Sequence, residues 1–225
     1  MYPFLKRGCD IVFSLLGIIL CAPILLIFIF LLLLSGESTP IYSSYRVGFG
    51  GELFKMYKLR TMKRVVGSST KPLTAYNDSR ISFLGRLLRF SKIDELPQFF
   101  NILNGDLSFV GPRPMLPEVF MYYSEATREQ LKGIRPGVTG IGSIVFRNEG
   151  NLFKNIKGSY EVFYRQEIAP VKGELEGWYI SKKSFKVDFK ILVLTLVAVT
   201  YGQVKSIHSY FKNLPSVEVQ VKDSY

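Results

Sequence analysis

Charge is missing from Ile11 to Leu34, 24 consecutive residues, and histidine and cysteine are scarce throughout the 225-residue chain. The one histidine, His208, lies in a polar C-terminal region, which argues against a histidine-based triad or a histidine metal site. The two cysteines, Cys9 and Cys21, sit in or beside the apolar run. On one helix they stand ~18 Å apart, too far to bridge. They read as buried apolar thiols in a reducing or lipid setting. No GxxxxGK[ST] loop is present, and Gly48-Phe49-Gly50-Gly51 reads as a turn, so the known nucleoside-triphosphate cradles are excluded. Zinc-finger spacing and RNA-binding aromatic signatures are also missing, which leaves bulk charge as the only case for nucleic acid.

What is present is basic. A net charge of +11 implies an anionic partner, and a membrane surface or a phosphorylated substrate explains it more economically than nucleic acid. The apolar run is too long for a signal-peptide core. Its ~36 Å of helix is enough to cross a bilayer. Pro23 divides it into two 12-residue arms, each able to go halfway in and return. Arg46, Lys55, Lys58, Arg60, Lys63 and Arg64 follow the run and point to a cytoplasmic face. A spanning helix would strand Lys6 and Arg7 on the far side; a re-entrant helix–break–helix keeps both basic flanks together. A Pro-kinked span remains the alternative. The second apolar run, Ile191 to Tyr201, is too short to span. With Lys186 and Lys190 it reads either as an interfacial helix beginning near Tyr179 or as a core helix.

Between these runs, residues 40–60 alternate around Gly48, Gly50 and Gly51 and predict a β-hairpin. Residues 64–78 are polar and predict a mobile loop. Residues 79–103 carry helical periodicity broken near Pro97, residues 117–132 predict one amphipathic helix, and IRPGVTGIGSIVF predicts extended chain. Residues 202–225 read as a polar tail.

Chemistry concentrates in RLLRFSKIDELPQFFNILNGDLSFVGPRP, residues 86–114. Asp94 and Glu95 form an adjacent carboxylate pair. Ser91 to Asp94 fits a capping-box spacing, so either acid could merely cap a helix. In the functional alternative, a helix N-terminus keeps a carboxylate ionised as nucleophile or metal ligand. Arg86, Arg89 and Lys92 recur every three residues as a basic stripe, either a solvated face or a phosphate-binding one. Pro112 and Pro114 restrict the backbone on both sides of Arg113, at a ligand or in a surface turn.

KLRTM at 58–62, NDSRISFLGRLLRFSKIDELPQFFNILNGDLSFVGPRP at 77–114 and IRPGVTG at 134–140 resemble the bacterial sugar transferase family, the small monotopic phosphoglycosyl transferases. The similarity runs from Lys6 to about Ile191. The chain departs from relatives at Ala22-Pro23, where Ser-Pro is frequent, and at IGSIVFRN, where many read like WAQVNGRN. Arg147 and Asn148 align there, while Ser143 and Val145 replace polar residues.

The resemblance implies an α+β fold: a re-entrant membrane helix over 1–36 bent at Pro23, then a small, mostly helical catalytic domain over 37–201. That domain would carry a short β-hairpin and interfacial helices, and the polar tail would cover 202–225. Asp94 would attack the β-phosphate of a UDP-sugar and release UMP. Polyprenyl (undecaprenyl) phosphate would then take the phosphosugar from the aspartyl intermediate. Mg2+ at Asp94 and Glu95 would neutralise the diphosphate, Arg89 and Arg113 would hold phosphate, and Arg147 and Asn148 would touch nucleotide or sugar. Implied partners are the UDP-sugar, polyprenyl phosphate and membrane lipids, without nucleic acid; monomer and homodimer stay open. The implied location is the bacterial inner membrane, with the catalytic domain on its cytoplasmic face. The competing class is a non-catalytic membrane-anchored subunit that recruits glycan-assembly enzymes.

Overall fold

The computed structural model describes residues 2–63, 80–147, 149, 159–202 and 207–216. The predicted loop over 64–78 and Asn148 therefore lie outside the described residues.

The uncharged run forms α1 (Tyr2–Leu34), a single helix of 33 residues that continues through Pro23. It is long and apolar enough to cross a membrane, with a mean hydropathy of 3.2 over 18 of its residues. No break separates the two expected arms: proline removes one backbone donor, and the bonds on either side keep the helix going. One face of α1 lies on the rest of the protein along its length. Near the start, Arg7 donates to the carbonyls of Ile102 (2.6 Å) and Leu103 (2.8 Å), and Asp10 accepts from the Phe109 N–H (3.2 Å). Gly17 lies under the Phe99 ring, and Leu25, Phe28, Ile29 and Leu32 pack with Leu59, Leu84, Leu88 and Ile93. The opposite face exposes Phe13, Leu16, Leu20, Ile27 and Phe30. Cys9 is exposed on this helix and Cys21 half-buried, so neither thiol is buried as expected.

The predicted hairpin is present. Strands β1 (Ile41–Val47) and β2 (Leu53–Leu59) pair antiparallel from Ile41 opposite Leu59 to Val47 opposite Leu53. Next comes α2 (Phe83–Ser91), capped by Ser82, whose hydroxyl accepts from the Gly85 N–H (2.9 Å). The helix ends at Lys92, at φ 61°, rather than at Pro97. A 3-10 turn over Ile93–Glu95 leads into α3 (Gln98–Asn104), which Gly105 terminates.

Strand β3 (Ser108–Val110) pairs in parallel with β4 (Gly137–Thr139), as Ser108 opposite Gly137 and Val110 opposite Thr139. The backbones almost touch beyond this pair: a Cβ on Gly137 would lie 2.1 Å from the Gly111 nitrogen. Only glycine allows that approach, which fixes the start of the Gly111-Pro112-Arg113-Pro114 turn.

Two expectations for the middle of the chain are corrected. The single helix over 117–132 is two, α4 (Pro117–Phe120) and α5 (Glu125–Lys132), because Ser124 starts a new helix by accepting from the Thr127 N–H (3.2 Å). The extended segment is strand only over β4. Ile141 and Ile144, three apart and both buried, turn the next stretch into the short helix α6 (Ile141–Val145).

C-terminal to these, α7 (Tyr160–Phe163) passes through a π turn over Tyr164–Ile168 into α8 (Ala169–Lys182). A separate helix, α9 (Phe185–Tyr201), begins not near Tyr179 but after Ser184, whose hydroxyl accepts from the Val187 N–H (3.4 Å). Its inner face, Ile191, Leu194 and Ala198, is buried, while Phe189, Leu196 and Tyr201 are exposed. In the expected polar tail, Phe211 and Leu214 join the main core, and the Trp178 indole donates to the Lys212 carbonyl (3.2 Å).

Asp188 ties the two long apolar helices together. It accepts from the Tyr2 hydroxyl (2.7 Å), the Tyr179 hydroxyl (2.8 Å) and the Lys6 ammonium. Asp188→Ala leaves all three without their acceptor in a largely buried setting. It is expected to cost about 3 kcal/mol, read as a lower unfolding midpoint in detergent. An unchanged midpoint would show that the clasp contributes nothing.

Candidate active site

The 3-10 turn places the two acids in different surroundings. Asp94 is buried, at 6% exposure, and its Oδ1 has no hydrogen-bond partner among the described residues. Glu95 Oε1 accepts from Lys58 Nζ at 2.9 Å across from β2. Neither acid caps a helix. Ser91 belongs to the last turn of α2, its hydroxyl bonded to the carbonyls of Leu87 and Leu88, and α3 begins after Pro97 with no side-chain cap.

Local charge, more than a helix end, sets these two carboxyls apart. Burial pushes Asp94 up from the ordinary aspartate value, with Glu95 adding to the rise and Lys58 opposing it. Burial acts in the same direction on Glu95. There Lys58, Lys92 and Arg113 outweigh it and hold the carboxyl at about 2. Adjacent acids with environments this different suit distinct chemical roles.

A cavity of about 390 Å³ opens beside the pair. Glu95, Lys92, Arg113 and Arg147 line it, so the structure brings three of the sequence-predicted site residues together around one space. Asp94 is adjacent through Glu95 but does not line the cavity. Arg89 stands outside it on α2, close enough to bias the Asp94 charge, with its Nε donating to Thr61 Oγ1 (2.8 Å). The proposed basic stripe is divided: Arg86 and Arg89 are helical, whereas Lys92 follows the helix end. Arg113, between its prolines, is exposed toward the cavity. Arg46 of β1 completes this basic side; lost hydration, then the Arg113 charge, bring it down to about 10.

Comparison with known proteins fits this arrangement. The family described as bacterial sugar transferase matches residues 1–202. The chain belongs to the bacterial sugar transferase family. It is 33% identical over 208 residues, 88% of its length, to the galactosyl transferase CpsE of Streptococcus agalactiae serotype III (strain NEM316). It is 34% identical over 195 residues to the uncharacterized sugar transferase EpsL of Bacillus subtilis (strain 168), covering 85% of each protein. It is also 32% identical over 198 residues to the UDP-glucose:undecaprenyl-phosphate glucose-1-phosphate transferase of Escherichia coli (strain K12), over 85% of this chain. The chain spans only 42% of the streptococcal relative and 39% of the E. coli one.

Several residues of this bacterial sugar transferase site escaped the sequence reading. Lys58, read as a flanking charge and as the start of the KLRTM motif but given no role in the site, is the ion-pair partner of Glu95. Also on the cavity wall, Lys172 pairs with Glu149 (2.7 Å), and Glu176 lies behind the wall with 2% exposure. Their signal was available: Lys172, Glu176 and Tyr179 share one face of α8 at helical spacing with the buried Ala169.

A sign follows for pH. Glu95 titrates below its usual range, so its contribution to stability is present above the ordinary glutamate value and fades as pH falls toward 2. Lys58→Met removes the nearest cation and is expected to move the acidic limb of turnover to higher pH. A pH–rate profile in detergent checks this; an unmoved limb would mean that Glu95 ionisation does not govern turnover.

Proposed function

We propose that this protein transfers a sugar 1-phosphate from a UDP-sugar to polyprenyl (undecaprenyl) phosphate, as the first membrane step of surface polysaccharide or glycan assembly. The single observation that carries the reading is the buried Asp94 carboxylate with an unpartnered oxygen, beside a Lys58-neutralised Glu95 and a cationic cavity. The E. coli relative's name supports the donor and acceptor classes.

In the first step an Asp94 oxygen attacks the β-phosphorus. The bond from that phosphorus to the oxygen bridging the α-phosphate breaks, and UMP departs with the electron pair. In the second, a phosphate oxygen of the polyprenyl phosphate attacks the same phosphorus and Asp94 is released. The raised proton affinity of Asp94 favours attack by a carboxylate poorly compensated in the free enzyme, while Arg113 lies where departing phosphate charge needs cations. Splitting the transfer lets a soluble donor and a lipid acceptor use one site in turn.

The donor set suits Mg2+. Among the described residues no group of three or more acidic, histidine or cysteine side chains forms a metal cage. The unpartnered Asp94 Oδ1 and the neighbouring Glu95 match a magnesium site completed by substrate phosphates. When bound there, the ion would neutralise diphosphate charge.

Both ends of α1 rest on the same body, through Lys6 and Arg7 at one end and Leu32 at the other. This favours both ends of α1 staying on one side of the membrane, the cytoplasmic face of the inner membrane. A re-entrant path would require the helix to bend at Pro23, where one hydrogen bond is missing. The exposed apolar side of α9 would lie in the same interface.

UMP release from a panel of UDP-sugars, with and without undecaprenyl phosphate and Mg2+, tests the reading. Magnesium-dependent release with one sugar and a stoichiometric burst without lipid is the expected result. Asp94→Asn should abolish release and Glu95→Gln should cripple it. Near-normal turnover by Asp94→Asn would overturn the covalent route, and release in chelator would overturn the metal.

A further inference from the structure

One part of the cavity wall carries unspent hydrogen-bonding capacity. Ser143 Oγ, Glu149 Oε1 and Glu176 Oε2 are buried without a partner among the described residues. Buried polar atoms are normally satisfied, so two such residues on the wall of one cavity, with a third behind it, call for an explanation. Ser143, Glu149 and Lys172 line the space directly. Lys172 donates to the other Glu149 oxygen and to the Tyr164 hydroxyl (3.3 Å), and its ammonium sits over the Phe146 and Tyr164 rings. The lysine is thus already engaged, and Glu149 Oε1 is left as an acceptor. Glu176 does not line the cavity: it stands behind Gly142, where a Cβ would come within 2.5 Å of its Oε1, and its carboxyl takes a hydrogen bond from the Arg113 backbone.

Lys92, Arg113 and Arg147 supply cations on the cavity wall, suited to phosphates. Glu149, its charge offset by Lys172, keeps one oxygen to accept from a hydroxyl group. We infer that Ser143 and Glu149 form a hydroxyl-binding floor that holds a polyol portion of the nucleotide-sugar donor while Lys92, Arg113 and Arg147 hold its diphosphate. This rests on the donor class proposed above. Both the transferred sugar and the ribose carry the required hydroxyls.

The test uses the full chain in detergent and the UDP-sugar that supports UMP release. KM and kcat are measured for wild type, Ser143→Ala and Glu149→Gln, together with inhibition by UMP. Ser143→Ala removes one hydroxyl without disturbing the Lys172 pair, so it remains informative if Glu149→Gln fails to fold. KM for the donor is expected to rise about tenfold in each folded variant. Unchanged UMP inhibition would assign the floor to the sugar, and equally weakened inhibition would assign it to the ribose. An active wild type with unchanged KM in the folded variants would overturn the floor alone. A folded wild type silent toward every UDP-sugar would overturn the donor reading and the floor with it.

Discussion

The side-chain amide of Asn101 is the joint on which the site depends. It is completely buried on α3 and stands in for a missing neighbour strand at the outer edge of β2. Its Oδ1 accepts from the Tyr57 N–H (3.0 Å), and its Nδ2 donates to the Lys55 carbonyl (2.7 Å) and to Asp106 (3.0 Å). These bonds hold the hairpin against the helix that follows the acids. Lys58, the next residue along β2, thereby reaches Glu95. Without the amide, two strand-edge groups would be left unsatisfied in a dry interface, and the ion pair would lose its scaffold.

A second constraint is backbone proximity. Gly111 and Gly137 let β3 and β4 come together closely enough to hold the proline-flanked Arg113 at the mouth of the cavity. The cationic and acidic parts of the site are thus set by two different devices, a side-chain latch and a side-chain-free contact. Both lie within segments that carry the family resemblance, residues 77–114 and 134–140, though neither is itself a reacting group.

The sequence made the hairpin, the long apolar helix and the Asp94-Glu95 pair legible because each follows a local rule: alternation, absence of charge, adjacency. Boundaries set by capping were less visible. Ser124 and Ser184 each start a helix inside what periodicity alone reads as continuous, and Lys92 ends one at a left-handed residue that pattern does not mark. Lys58 and Arg113 belong to separate motifs, and only tertiary packing brings both to bear on Glu95. Lys172 and Glu176 were hidden differently. Charged residues on a helix face ordinarily imply solvent, and one of the two rings over Lys172, Phe146, comes from the end of α6.

The docked face of α1 has a practical consequence. Asp10, Ser14 and Gly17 form a small, polar seam that completes β3 and α3, and Arg7 caps the end of α3. Removing residues 1–36 to obtain a water-soluble fragment would uncover Phe99, Leu59 and Leu88 and strip α3 of that cap. The helix that is long and apolar enough to cross a membrane is also structural. Preparations that keep it, in detergent or lipid discs, would preserve the rest of the fold, and a truncated fragment would aggregate through the surface the helix had covered.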